Sequence, residues 1–139
     1  RQIAGGGQLY LTPHGGEAAG LLDCSVQQVS RDRLTALSAM TAQYNALGLI
    51  KGPGTVMGDG REQGICGHGN PGMATAGMGD VLAGLAGSLM AQHPADQRSA
   101  FFAAVLLHSA AGDVAAEELG MRPLTASAVI DRIGQLLKA

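Results

Sequence analysis

The sequence predicts a layered α/β domain, on three observations. Short β-leaning runs bounded by glycine and proline are concentrated in the first half, and helical spacing takes over in the second. The elements read strand, helix, strands and then helices, which suits layers of sheet and helix but is too short an order for a complete wound sheet. Glycine makes up 22 of the 139 residues, a content that suits ligand loops better than a plain helical bundle.

Gln8 to Thr12, "QLYLT", is a β-leaning run stopped by Pro13, and it predicts the first strand. The turn of His14, Gly15, Gly16 and Glu17 leads into a helix whose apolar side includes Ala18, Leu21 and Leu22. Ser25 and Gln28 stand at capping-box spacing, and Leu34, Leu37 and Tyr44 recur at helical intervals, so one helix is expected to run on as far as Asn45. "LGLIKGPGTVMGDG" holds two short apolar runs around Gly52, Pro53 and Gly54, the pattern of strand, turn and strand. A third short strand is expected near Gly64 to Cys66. Helices follow: Gly79 or Asp80 to Gln92, Arg98 to Leu119 ended by Gly120 and Pro123, and Thr125 to Leu137. In the last, Val129, Ile130, Ile133, Leu136 and Leu137 form one stripe.

Composition narrows the function classes. The chain is 46% hydrophobic and 14% charged, a globular balance, and its formal net charge is −2 with no basic run. The electrostatic footprint of a nucleic-acid binder is missing, and nothing supports a membrane-surface partner. The uncharged run Val81 to Gln92 is too short to span a bilayer and reads as a buried core helix. No secretory pattern opens the chain, and Cys24 and Cys66, far apart and without a CxxC pair, are expected to be free thiols in a reducing cytoplasm. Residue 1 is Arg rather than Met, and Gly5-Gly6-Gly7 leads straight into the first strand, so the start is expected to be a cut, a processed end or a linker.

Three constellations carry chemistry. In "GNPGMATAGMGDVLAGLAGSLMAQ", Gly77 and Gly79 let the backbone turn its amides toward a ligand at a helix mouth, where an anion is stabilised, and Asp80 is the one acid there. Asp80 is equally readable as an N-cap, and the glycines as packing residues. Gly84 and Gly87, inside the helix, are expected to serve close packing. In "KGPGT", Lys51 would end a strand, and Gly52, Pro53 and Gly54 would shape a turn before Thr55, either a nucleotide loop or an ordinary hairpin. In "TPHGGE", His14 follows a strand and precedes a helix, where open α/β sheets place ligands, although a locally bonded turn histidine fits as well. His68 and His93 look like loop residues, and His108 like a satisfied histidine on a buried helix. No Walker A lysine exists, no histidine pair has zinc spacing, and "GHGNPG" matches the dinucleotide pattern only literally, because Pro71 and a glycine-rich loop follow it instead of a helix and strand.

Together "LTPHGGEA", "LIKGPGTV" and "GNPGMATAGMGDVLAG" resemble the ADP- or ATP-dependent NAD(P)H-hydrate dehydratases, the carbohydrate-kinase-like domain of the ribokinase superfamily. The resemblance runs from about Leu9 to the C-terminus and covers about the C-terminal half of that domain. It implies a ribokinase-like three-layer α/β/α fold, with residues 1–139 the C-terminal portion of a single domain whose N-terminal half is absent. It also implies a repair reaction: the S-form of NADH or NADPH hydrate is phosphorylated on its added hydroxyl, and phosphate leaves. Asp80 matches the base and a hydrate contact, Gly77 to Gly79 the anion hole, with Gly79 also touching the adenylate. His14 matches the substrate-contacting histidine, and Lys51, Gly52, Pro53, Gly54 and Thr55 match the adenine-nucleotide segment. Mg²⁺ with ADP or ATP, a homo-oligomer, and an NAD(P)H-hydrate epimerase as partner domain or protein belong to the same implication.

Two departures stand out: Gly15 replaces the proline of "TPHPGE", and Ala76 a glycine of "MATGG". The first is expected to loosen the His14 turn, and the second to limit backbone freedom before the anion hole. A small-molecule kinase that phosphorylates a vitamin precursor and stops there would share the Gly-Asp mouth. A non-catalytic fragment or interaction module is the rival from another class.

Overall fold

The computed structural model describes residues 7–138, which fall into two compact units divided between Ile65 and Cys66. The linker reading at Gly5 and Gly6 lies outside the described residues.

The first unit is a mixed four-stranded sheet with helices. Strand β1 (Leu9–Leu11) is followed by helices α1 (Gly15–Leu22), α2 (Val26–Arg31) and α3 (Arg33–Tyr44), then by strands β2 (Ala46–Ile50), β3 (Val56–Gly58) and β4 (Gln63–Ile65). The three helices make the crossover that a parallel pair requires, and β1 pairs β2 in parallel with Tyr10 opposite Leu47. The remaining pairs are antiparallel, with Leu49 opposite Met57 and Met57 opposite Gly64, and the spatial order is β1-β2-β3-β4. All five residues of β2 are buried, as its uninterrupted apolar run foretells. Ala18, Val29, Leu37, Met40, Ile50 and Val56 form a core here.

One expectation is corrected. The helix read from Ser25 to Asn45 is two helices, broken at Asp32, whose backbone leaves the helical region at φ −150° and ψ 88°. Asp32 caps the second helix: one carboxylate oxygen accepts from the Thr35 N–H at 2.9 Å and the other from the Thr35 hydroxyl at 2.7 Å. The Ser25–Gln28 capping box is present and opens only the short α2.

The second unit is helical. A single 3₁₀ turn (Pro71–Met73) precedes α4 (Met78–Gln92), α5 (Gln97–Leu119) and α6 (Ala126–Leu136). α5 is the core helix, with Ala100, Phe101, Ala104, Val105, His108 and Ala111 among its buried residues. Although α5 has the length and apolarity of a membrane span, half of its apolar stretch is buried inside the protein. A second core gathers Met78, Ala111, Ala115, Leu124, Val129 and Ile133. The α6 stripe divides: Val129 and Ile133 are buried, but Ile130 is 53% and Leu137 60% exposed. α4 is less buried than its composition suggests, since only Met78, Leu82 and Ala86 are buried. Among the described residues, a Cβ at Gly84 or Gly87 would meet nothing within 4 Å. Both cysteines are free, Cys66 buried and Cys24 half-buried.

Candidate functional site

In the first unit, chain direction brings His14 and Lys51 side by side. The β1–β2 ladder continues past the strands: the Lys51 N–H donates to the Pro13 carbonyl at 2.8 Å, and His14 and Lys51 form a parallel bridge. His14 is at once the N-cap of α1 and a ligand candidate. Its Nδ1 accepts from the Gly16 and Glu17 N–H groups, each at 3.1 Å, and a Glu17 carboxylate oxygen accepts from the His14 N–H at 2.7 Å, which completes a capping box. A ring whose Nδ1 accepts carries its proton on Nε2, so exposed His14 presents an N–H donor.

Glu17 ties this pair together. Its carboxylate lies 3.7 Å from the Lys51 ammonium and 3.5 Å from His14 Nε2. The His14 backbone N–H, and then the charge of Lys51, hold Glu17 below the ordinary carboxylate range despite some desolvation. The sequence reading passed over Glu17 as a helix-entry residue, although a glutamate at N3 after a capping position is itself a signal.

Beyond Lys51 the chain bends through Gly52, Pro53 and Gly54 before Thr55, whose hydroxyl donates to the Gly52 carbonyl at 3.3 Å. Gly54 is at φ +62°, left-handed backbone that glycine adopts freely. The bend connects the antiparallel pair β2 and β3, with Ile50 opposite Val56, and Arg33 of α3 donates to its Pro53 carbonyl. Sequence reasoning missed Arg33, since nothing local to it announces a partner twenty residues away.

In the second unit, the first turn of α4 carries Gly79 and Asp80 just after Gly77. The N-cap is Gly77, at φ +86°, and no side chain caps the first turn. Asp80 is therefore not the cap: it lies at the third helical position and is exposed. The uncapped amides and the helix dipole favour an anion at this mouth. A Cβ at Gly77 would come within 3.1 Å of the Ala126 methyl, so the start of α6 also limits this position to a small residue.

The loop before this mouth is clamped by Asp113, another residue the sequence reading missed. One Asp113 oxygen accepts from the Gly69 N–H at 2.9 Å and the other from the Asn70 side-chain amide at 3.0 Å. The same Asn70 amide donates to the Gly112 carbonyl at 2.9 Å, and its oxygen accepts from the Gly72 N–H at 3.0 Å, capping the 3₁₀ turn. His68 Nδ1 lies 3.4 Å from the Asp113 carboxylate, so this loop histidine has a defined partner. Partial burial pushes the Asp113 carboxyl up, but the Gly69 N–H, the Asn70 amide and His68 together outweigh it and leave the group below its usual range. Gly112 has no Cβ because Met73 occupies that space, 2.3 Å from where one would stand.

Comparison with known proteins bears on the family and the fold. The family described as NAD(P)H-hydrate dehydratase matches residues 5–134. The bifunctional NAD(P)H-hydrate repair enzyme of Vibrio cholerae is 42% identical over 130 residues, covering 94% of this chain and 26% of that protein. The Coxiella burnetii enzyme of the same description is 47% identical over 118 residues, covering 84% and 24%. Among solved structures, the ADP/ATP-dependent NAD(P)H-hydrate dehydratase of Bacillus subtilis, co-crystallised with ATP/Mg²⁺, superposes with a TM-score of 0.89 at 27% identity over 95% of this chain and 48% of that one. A ribokinase-like superfamily protein of Enterococcus faecalis gives 0.76 at 28% identity over 93% and 44%. The chain thus spans about a quarter of the curated relatives it matches and about half of the solved chains. The α/β, ribokinase-like class expected from the motifs holds, and the chain belongs to the NAD(P)H-hydrate dehydratase family.

Proposed function

We propose that residues 1–139 are the C-terminal portion of a single three-layer α/β/α domain that repairs hydrated nicotinamide cofactors. The reaction is the ADP- or ATP-dependent dehydration of the S-form of NAD(P)H hydrate. The hydroxyl oxygen of the hydrate attacks the terminal phosphorus of the nucleotide and gives up its proton. AMP leaves when ADP is the donor, and the phosphate ester then loses inorganic phosphate together with a proton from the adjacent ring carbon, which restores the nicotinamide ring double bond. With ADP, the products are NAD(P)H, AMP and phosphate.

The observation that carries this reading is the first turn of α4: uncapped amides at a glycine N-cap, with an exposed carboxylate three residues beyond it. Phosphoryl transfer asks the protein chiefly for positioning and charge stabilisation, and the acceptor hydroxyl needs a base. Gly77 and Gly79 supply the amides that stabilise the phosphoryl oxygens, and Asp80 takes the proton and contacts the hydrate. His14 contacts the hydrate through its Nε2–H. Lys51, Gly52, Pro53, Gly54 and Thr55 bind the adenine nucleotide, with Gly79 contributing.

Among the described residues no group of three His, Cys, Asp or Glu side chains could enclose a metal. Mg²⁺ held on the nucleotide phosphates and water would neutralise charge on the transferring group when bound. A cytoplasmic location, a homo-oligomer and an epimerase partner domain or protein complete the proposal. The bifunctional description of the Vibrio cholerae relative supports the last.

Product balance tests it. The complete domain, given NADH hydrate and ADP, is expected to yield equal amounts of NADH, AMP and phosphate. A stable phosphate ester without NADH would instead establish the small-molecule kinase. Asp80→Asn is expected to lower turnover ~10²–10⁴-fold, the usual worth of a general base, with the melting temperature almost unmoved because the cap is Gly77. Near-normal turnover would remove Asp80 as the base.

A further inference from the structure

Arg33 opens α3, and its Nη2 donates to the Pro53 carbonyl. Its Nη1 is buried without a hydrogen-bond partner. The same nitrogen lies against Gly52, where a Cβ would stand only 2.6 Å from it. Burying a guanidinium nitrogen unpaired is costly, so the side chain is held where it is by more than surface solvation.

The carbonyl it holds belongs to the central peptide of the bend. Proline followed by glycine at positive φ is the order a type II turn requires, and the two common forms of such a turn differ by a flip of that one peptide. No cis peptide occurs among the described residues. In a trans peptide the C=O and the following N–H point in opposite directions. With the Pro53 carbonyl drawn to Arg33, the Gly54 N–H points away from the guanidinium.

We propose that Arg33 is a positioning residue for adenine-nucleotide binding: it selects the flip state of the Pro53–Gly54 peptide that offers the Gly54 N–H as a donor to the nucleotide. The inference rests on the reading of Lys51 to Thr55 as the nucleotide segment. Lysine does not replace the arginine, because one ammonium lacks the planar fork that reaches a carbonyl while packing flat against Gly52.

Arg33→Lys and Arg33→Met in the complete domain test this, by amide exchange at residues 51–55 with and without ADP and by steady-state kinetics. Both variants are expected to lose much of the protection that ADP gives the Gly54 amide and to raise KM for ADP about tenfold. kcat is expected to stay within about threefold, and KM for the hydrate to stay unchanged. A merely structural arginine would lower melting temperature and active fraction without singling out KM for ADP. Variants with wild-type exchange and KM, in a domain whose bend ADP protects, would overturn the role of Arg33 alone. A wild-type bend that saturating ADP leaves unprotected would overturn the nucleotide reading and this inference with it.

Discussion

Asp113→Ala removes the acceptor that holds the loop ahead of α4, and the cost follows from what is left behind. The Gly69 N–H, bonded at 2.9 Å, loses its partner, while the Asn70 amide loses its 3.0 Å bond but keeps the Gly112 carbonyl. The His68 contact at 3.4 Å goes as well, and the Asp113 side chain is 32% exposed, so water replaces part of the loss. At about 1 kcal/mol for each of two or three lost bonds, the total is roughly 2–3 kcal/mol. For a chain of this size that is roughly 6–12 °C in melting temperature. Asp113→Asn keeps one acceptor oxygen and is expected to lose about half as much.

The acid range adds a sign. Asp113 has its folded pKa below the unfolded one, about 3.9. Its contribution is complete above the unfolded value and disappears as pH falls through the folded one. The wild type and Asp113→Asn are therefore expected to differ at pH 7 and to begin converging as pH falls below about 4. Thermal melts at both pH values, with amide exchange at residues 69–72, measure this. An alanine variant that melts within about 1 °C of wild type, with unchanged exchange at Gly69 and Gly72, would refute the clamp.

Three further outcomes are expected. Glu17→Gln keeps a capping-box acceptor but loses the charge between Lys51 and His14, so stability at pH 7 should fall by less than ~1 kcal/mol. Because Glu17 is also held low, that difference should begin to close in urea titrations as pH falls below about 4, and a gap that does not narrow on acidification would count against the ion pair. Gly15→Pro and Gly84→Ala should each stabilise by ~0.4–1 kcal/mol. The first fits because Gly15 opens α1 after a histidine already extended at φ −81° and ψ 172°. The second fits because its Cβ enters open space. A lowered melting temperature in either would contradict the local geometry.

What was legible in the chain was local. "QLYLTPH" announces strand, stop and helix entry within seven residues, and the glycines before Asp80 announce an open helix mouth. His14 and Lys51 were separately readable as ends of strands, but their meeting through Glu17 depends on the parallel pairing of β1 with β2. The break at Asp32 was hidden because Leu34, Leu37 and Tyr44 continue a helical rhythm across it. Its signal was Asp32 with Thr35, a cap inside what reads as one helix. Arg33 and Asp113 were illegible for another reason: each acts on backbone groups far along the chain, at Pro53 and at Gly69, where side-chain patterns carry no trace.

The joint at Asp32 has a consequence for how this part of the chain tolerates changes of length. A residue added to α2 ahead of the joint can be absorbed there, because Asp32 already leaves helical backbone and restarts the winding for α3. A residue added between Arg33 and Leu37 rotates everything after it by about 100°, turning Leu37 and Met40, both fully buried, off the core. Natural insertions and deletions in this stretch should therefore collect on the α2 side of Asp32, leaving an unbroken spacing from Arg33 to the sheet.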